Sequence, residues 1–546
     1  MAPIVMNLNE WQKQLKLVNY NKMDLILDYL TNGVELGNSG PPRTNFRVCP
    51  NLPTAMGKEF EDKISEEMEE ECRLGRRAGP FDAIPLPNLQ CSPIGSVPKK
   101  NSSNGIRVIH HLSYPRNESY ASINSLINNI ECKLVKFSEV LMEVYKKGKN
   151  CLMAKYDIKS AFRLIRVRIQ DQHLLGMSFK GKFYYELCLP FGLKSAPGLF
   201  ELFATAIEAF LHNSGIKIVR HYIDDYITIS VASQPLAQLD YDKVIKMFKK
   251  LKINLSVEKL QKPATRIEFL GLIIDSNLMQ VELPSDKLIR YRAILLEWRT
   301  KIFCTIKELQ SLVGKLVFAS YAIQHGRSFY RRLLDLLKKS NESDTFSIRI
   351  DEHARMDIKW WENFLVAWNG INIIPPSLNN YLKADQHLLF TDACQTGMGA
   401  YYNNKEYIRH AWNTDELKKA QRVKTLSMPY LELLSLVHSI NVWADRLSGK
   451  AVILNCDCEP VVLAVNSGRS FDPAMMKLIR MLIFITTTHK IFINLQHIEG
   501  EKNIDADLLS RSTFSNSSSQ LKEFMIRNQK KGTKEQIIKD LPIIAW

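Results

Sequence analysis

The sequence predicts a multidomain α/β (α+β) protein, and three observations carry that expectation. At 546 residues the chain is long enough for several domains, each with its own core. Short β-branched runs alternate with longer amphipathic stretches, the pattern of strands interleaved with helices. From Leu388 the pattern begins afresh, with a second set of acids at strand ends. A hydrophobic fraction of 45% and a charged fraction of 24% belong to a soluble globular chain, and a formal net charge of +16 calls for a polyanionic partner. The 10 cysteines are scattered, so neither a disulfide framework nor a zinc ribbon is indicated. No apolar run reaches membrane-spanning length and the first residues are not a secretory signal, so the expectation is an intracellular protein, cytoplasmic or nuclear, without a membrane partner.

In chain order, residues 1–78 read as an N-terminal helical extension: a helix from Trp11 to Leu30, a Gly/Pro/Asn-rich loop, and an acidic helix from Gly57 to Arg77. The glutamates of that second helix are expected to form a solvated face. Val97 to His111 reads as a hairpin with Lys99, Lys100 and Arg107 at its base. These are either a solvated basic turn or, beside acids, candidates to hold a triphosphate, which Arg grips bidentately. Leu152 to Asp157 is a strand ending in an acid, and Leu189-Pro-Phe-Gly leads through Ser195-Ala-Pro into a buried helix, Ala196 to Leu211. Ile216 to Ser230 then places Asp224 and Asp225 at the reversal between two short strands. Asp-Asp is poor hairpin chemistry, and two like charges at a tip repel unless a divalent cation relieves them. Three acids from two strands can hold two Mg2+ (or Mn2+) ions, one at the attacking and one at the leaving oxygen.

This order, an Asp-bearing strand, a Pro-Phe-Gly/Ser-Ala-Pro segment and Tyr222-Ile-Asp-Asp225, resembles the palm of reverse transcriptases. The resemblance implies a right-hand polymerase, with fingers and palm over 79–283, a helical thumb over 284–345 and a connection over 346–384. It implies metal ligation at Asp157, Ile158, Asp224 and Asp225, and nucleotide contacts from Phe162, Phe191 and Gly192. It also implies a primer-gripping segment at Phe269, Leu270 and Gly271. Phe162 lies five positions after Asp157, where its ring either excludes a sugar 2′-hydroxyl or simply packs in the core. In the thumb, Arg327, Arg331 and Arg332 follow an apolar helical face and suit sequence-independent contacts to a template-primer duplex. Trp360, Trp361 and Trp368 are expected in a core or an interdomain contact.

Beyond Leu388, Asp392 ends a strand, Glu432 sits in the first turns of an apolar helix, and Asp457 ends another strand. His497 and Asp507 follow, Asp505 being a rival for the last acid. A carboxylate among leucines is costly unless paired or metal-bound. Four acids on separate elements can converge on two metal ions, with a histidine assisting proton transfer. Cys456-Asp-Cys458 is read as a strand carrying an acid rather than a thiol metal site. The Asp, Glu, Asp, Asp order resembles ribonuclease H, which implies a ribonuclease H-like α/β domain over 385–512, with Asp392, Glu432, Asp457, His497 and Asp507 catalytic. Residues 513–546 read as a Ser/Asn-rich linker and a basic tail.

Finer wording is similar to the DIRS-type, tyrosine-recombinase retrotransposons: Gly75-Arg-Arg-Ala-Gly-Pro-Phe81, Ser92 to Lys100, Arg107 to Pro115, and Leu312 to Ser320. That resemblance implies an RNA- and DNA-directed DNA polymerase with ribonuclease H activity. Its partners are an RNA template, a DNA primer, RNA/DNA hybrid, dNTP and other retrotransposon proteins. A viral RNA-dependent RNA polymerase shares the palm acids, but an appended ribonuclease H would be useless on an all-RNA product; the other alternative is a domesticated, catalytically silent nucleic-acid-binding protein, against which both intact sets of acids argue.

Overall fold

The structure is a computed structural model and describes residues 5–98, 106–116, 120–341, 347–366, 369, 387–403, 406–422, 425–489, 491–512, 519–528 and 534–541. Lys99 and Lys100, Trp368 and residues 370–384 of the expected connection lie outside the described residues. The chain forms two compact units, Met1–Leu270 with Ile274–Leu278, and Gly271–Ile273 with Met279–Trp546.

In the first unit, helices α1 (Leu8–Leu17) and α2 (Met23–Asn32) precede β1 (Arg47–Val48), α3 (Lys58–Arg73) and β2 (Arg77–Phe81). Strands β3 (Gln90–Cys91), β4 (Ile94–Pro98), β5 (Ile106–His110), β6 (Leu152–Asp157), β7 (Gly176–Phe179) and β8 (Lys182–Glu186) follow. Helix α4 (Ala196–Asn213), β9 (Val219–Tyr222), β10 (Asp225–Ser230), α5 (Gln234–Leu251), β11 (Gln261–Ala264) and β12 (Arg266–Phe269) complete it. β4 and β5 pair as the expected antiparallel hairpin, and a second sheet has the order β1-β3-β7-β8-β2. The third sheet, β11-β6-β10-β9, carries the acids. Its strand β10, rich in β-branched residues, is buried along nearly its whole length, and α4, begun by Pro197 in its first turn, joins α5 in covering the sheet.

The N-terminal helices belong to this unit's core. Trp11 is fully buried, its ring edge-on to Phe203 and Phe210 of α4 at 5.8 and 5.4 Å, and the Asn7 backbone N–H donates to the Leu251 carbonyl. The acidic helix α3 also differs from expectation. Glu71 pairs with Arg163 at 2.6 Å, and the Val108 N–H donates to Glu67, so these two glutamates face inward. Buried Glu186 bridges Arg77 and Arg163; burial alone would raise its pKa, but the two guanidiniums hold it at about 2.

The second unit opens with helices α6 (Ser285–Thr300), α7 (Ile306–Ala319), α8 (Arg331–Asn341) and α9 (Glu352–Phe364). Thr305 and Glu308 form a capping box that starts α7. Next come β13 (His387–Ala393), β14 (Gly397–Tyr402), β15 (Glu406–Ala411), α10 (Met428–Leu447), β16 (Ala451–Cys456) and α11 (Glu459–Ser467). Helix α12 (Pro473–Thr488), β17 (Phe492–His497), α13 (Ile504–Arg511), α14 (Ser519–Asn528) and β18 (Lys534–Glu535) end the unit. The sheet order is β17-β16-β13-β14-β15-β18, with β13, β14 and β15 antiparallel and β16 and β17 parallel to β13. Trp360 and Trp361 are buried, and beside them Asp357 and Arg480 form a buried ion pair of 3.0 Å.

Two carboxylate centres

The first centre is built by strand register. Antiparallel pairing sets Asp157 of β6 directly opposite Asp225 of β10, and Asp225 opposite Tyr222 of β9. The turn is therefore Ile223–Asp224, with Asp225 already in the strand, rather than an Asp-Asp tip. Ile223 has φ of 56°, a conformation that costs a β-branched residue about 1–3 kcal/mol. The turn is held by the Ile158 N–H, which donates to the Asp224 carbonyl at 3.0 Å. Burial, then the charges of Asp225 and Asp157, push the Asp224 carboxyl up to about 6. Burial also raises Asp225, against the opposing pull of Lys155, whose Nζ lies 3.1 Å from it. Asp157 accepts from Ser256 Oγ at 2.6 Å and from Lys259 Nζ at 2.9 Å. The sequence alone assigns no role to Ser256, Lys155 or Lys259, because their partnership with the acids exists only after the sheet forms.

Asp157 and Asp224 line a cleft of about 770 Å³, with Asp225 beside them in the sheet. Its lining includes Asp157, Ile158, Phe162, Phe191, Asp224 and Arg107. Ser160, at φ 55°, turns the chain after β6, and half-buried Phe162 packs against Phe191 and Phe200 at 5.6 and 5.9 Å. The Arg107 guanidinium lies over the Phe191 ring, 4.9 Å from its centre. Gly192 serves the turn itself: at φ 107° it approaches the His110 carbonyl so closely that a Cβ would sit 2.1 Å away.

The segment read as primer-gripping needs correction at one residue. Phe269 is fully buried, so its ring is core; the accessible part is the Leu270–Gly271 turn, with φ of 49° and 78°. In the second unit Arg327 is exposed and Arg331 lies 3.6 Å from Asp335. Arg332 faces inward instead: its N–H donates to buried Asp357 at 3.2 Å and its guanidinium lies 3.6 Å from the same acid. It compensates a buried charge rather than presenting itself to a duplex.

The second centre converges from four elements. Asp392 on β13 and Glu432 on α10 are 5% and 6% exposed, Asp457 follows β16, and Asp507 lies on α13. Burial, then the charges of Asp457 and Asp507 opposed by a Ser510 hydrogen bond, push Asp392 up to about 7. Burial and the charges of Asp392 and Asp457 hold Glu432 well above the usual carboxylate range. Asp505 is turned away, 2.9 Å from Arg527 on α14, whereas Asp507 bears on Asp392 and pairs with Arg511 at 2.7 Å. Gly399 of β14 lets α13 come this close, since a Cβ there would meet the Ser510 nitrogen at 2.3 Å. His497 is exposed at the end of β17, its Nε2 3.1 Å from the Asp457 carbonyl.

A sheet that aligns three acids beside a cleft walled by a two-stranded hairpin defines a polymerase palm. Residues 97–274 match the family described as reverse transcriptase (RNA-dependent DNA polymerase). The chain is similar to the Transposon Tf2-3 polyprotein of Schizosaccharomyces pombe, 23% identical over 477 residues, which are 86% of this chain and 32% of that protein. It is also similar to the Enzymatic polyprotein of Carnation etched ring virus, 24% identical over 404 residues, 73% of this chain and 56% of that one. This chain thus spans about a third of the transposon polyprotein's length and just over half of the viral one's. The fold resembles a solved foamy viral protease-reverse transcriptase (dRH) in complex with ds DNA, with a TM-score of 0.50 and 14% identity over 91% of this chain and 83% of that one. Residues 97–274 therefore carry a reverse transcriptase domain, in a chain similar to transposon and viral polyproteins.

Proposed function

We propose that the chain is an RNA- and DNA-directed DNA polymerase whose second centre hydrolyses the RNA strand of RNA/DNA hybrids. One observation carries the polymerase reading: the register that sets Asp157 against Asp225, with Asp224 at the adjoining tip, beside a cleft. The donor sets fit divalent cations, Mg2+ or Mn2+, two per centre. Asp224 is raised by burial and then by its neighbours' charge, and Glu432 Oε2 has no hydrogen-bond partner among the described residues. Such cations, when bound, supply the charge that activates an attacking oxygen and steadies a leaving one.

The chain's own residues do the rest. Asp157, Ile158, Asp224 and Asp225 hold the cations of the first centre. Arg107, above Phe191, receives the triphosphate of a dNTP, and Phe162 stands beside its sugar. Leu270, Gly271, Arg327 and Arg331 steady the template-primer backbone through contacts that ignore sequence. In the second centre Asp392, Glu432, Asp457 and Asp507 hold the cations, exposed His497 carries a proton to or from solvent, and the 2′-hydroxyl marks the RNA strand. The likeness of Gly75 to Phe81 and Arg107 to Pro115 to DIRS-type elements supports a retrotransposon origin of that subclass, an intracellular site of action and other element-encoded proteins as partners.

The test is extension of a DNA primer on an RNA template by the full chain in Mg2+ or Mn2+, with a labelled RNA strand to follow cleavage. Extension with concurrent shortening of the RNA supports both activities. A folded, nucleic-acid-binding chain that extends no primer in either metal overturns the polymerase reading.

A further inference from the structure

We propose that the second carboxylate centre also takes a thiophilic divalent cation, of the Zn2+ or Co2+ class, through the sulfur of Cys456 together with Glu432 and Asp457. The inference rests on reading this cluster as a metal centre, and it adds a donor that the four-acid reading leaves out. The Cys456 Sγ and one carboxylate oxygen from each of Glu432 and Asp457 lie within 4.8 Å of one another. Cys456 is the last residue of β16, fully buried, and its sulfur receives a long hydrogen bond from the Cys458 N–H at 3.4 Å. The residue was read from the sequence as part of a plain strand; the packing of α10 against the sheet brings its thiol beside Glu432.

A second observation points to an occupant. Glu432 is only 6% exposed, and its Oε2 has no hydrogen-bond partner among the described residues. A buried carboxylate oxygen without a partner is unfavourable. A proton on Glu432 would relieve the acid alone. A hard cation would draw on the oxygens and leave the sulfur idle, since Mg2+ selects oxygen donors. A borderline-soft cation uses all three donors. Zinc takes sulfur at ~2.3 Å and carboxylate oxygen at ~2.0–2.2 Å, so donors already this close need small side-chain rotations to gather round it. Binding breaks the S–H bond, forms a metal–sulfur bond and releases the proton to solvent, with no change of oxidation state.

The experiment uses the full chain, stripped with EDTA, freed of chelator and titrated with Co2+ alone. The readout is the near-ultraviolet thiolate-to-cobalt charge-transfer band, which oxygen donors cannot produce and which does not depend on catalysis. The wild type should develop the band, and Zn2+ added afterwards should bleach it. Cys456→Ser and Cys456→Ala should lose it, the alanine variant guarding against misfolding from a buried hydroxyl, whereas Cys394→Ser and Cys458→Ser should keep it. A wild-type chain with no band, or a band that survives both Cys456 substitutions, overturns the proposal. RNA cleavage in Mg2+ is measured separately on the wild type. A Cys456-dependent band without cleavage would leave the thiophilic site standing and sink the hydrolase reading, and cleavage without a band would do the reverse.

Discussion

The two carboxylate centres treat the same electrostatic problem differently. In the first, lysines come with the sheet: Lys259 stands 2.9 Å from Asp157 and Lys155 3.1 Å from Asp225. Asp224, at the turn, is the acid raised to about 6. In the second, Asp392 and Glu432 face each other's charge in a buried setting, and the paired guanidinium, Arg511, sits on Asp507. One centre is thus partly balanced by the protein's own cations, while the other relies on protons or metal ions. The difference follows from architecture. β6 itself carries Lys155 and the short turn before β11 carries Lys259, whereas the second centre gathers single acids from two strands and two helices whose flanks are apolar.

The sharpest way to break this comparison is to remove charge from the first centre. Asp157→Asn or Asp224→Asn should lower primer extension by on the order of 10²–10³-fold or more, because each removes charge that the transition state needs. Asp225→Asn should be milder. Single-turnover extension with a preformed template-primer measures it, and an Asp224→Asn variant working at the wild-type rate would remove the palm assignment.

A smaller effect separates the centres by pH. Asp392 is raised from its ordinary 3.8 to about 7, so the folded state holds a proton that the unfolded chain gives up earlier. Its contribution to stability is fully present below about pH 3.8 and is lost as pH rises through about 7. In EDTA, Asp392→Asn should therefore gain Tm relative to the wild type between these limits, and Mg2+ should raise the wild-type Tm more at pH 7 than at pH 5. Parallel Tm–pH curves for the two proteins would show that the second centre carries no such strain.

Phe162 sharpens the account of the first centre. Its ring touches Phe191 and Phe200 and also lines the cleft beside Asp157. As a sugar gate, Phe162→Val should lower the ratio of kcat/KM for dNTP over rNTP by relaxing a clash with the 2′-hydroxyl. A purely packing role predicts an unchanged ratio and, for Phe162→Ala, a loss of about 3–5 kcal/mol in stability. The mildest effect is shared by the whole chain. With a net charge of +16, template-primer affinity should fall log-linearly with salt, and a flat dependence would detach the basic balance from nucleic-acid binding.

What the sequence made legible was local. Strands ending in acids, the Pro-Phe-Gly turn and the apolar helix around Glu432 can each be read within a dozen residues, and the structure assembles them into two sheets. What it hid depended on distant partners. The glutamates of α3 look like any solvated face, yet Glu71 meets Arg163, 92 positions away. Trp11 reads as part of a separate extension, yet it packs on α4. Residues 513–546 read as a linker and basic tail, yet β18 adds to the edge of the second unit's sheet beside β15, with Glu535 2.7 Å from Arg409. Arg332 and Phe269 were assigned outward roles from sequence position, but the ion pair with buried Asp357 turns Arg332 inward and burial takes Phe269 into the core.

The independence of the two centres is tested most directly by a crossed measurement. Asp224→Asn and Glu432→Gln are each assayed for primer extension and for cleavage of labelled RNA in the same hybrid, on the same preparation. The account predicts that Asp224→Asn loses extension and keeps RNA cleavage, while Glu432→Gln loses cleavage and keeps extension. Loss of both activities in either folded variant would contradict it.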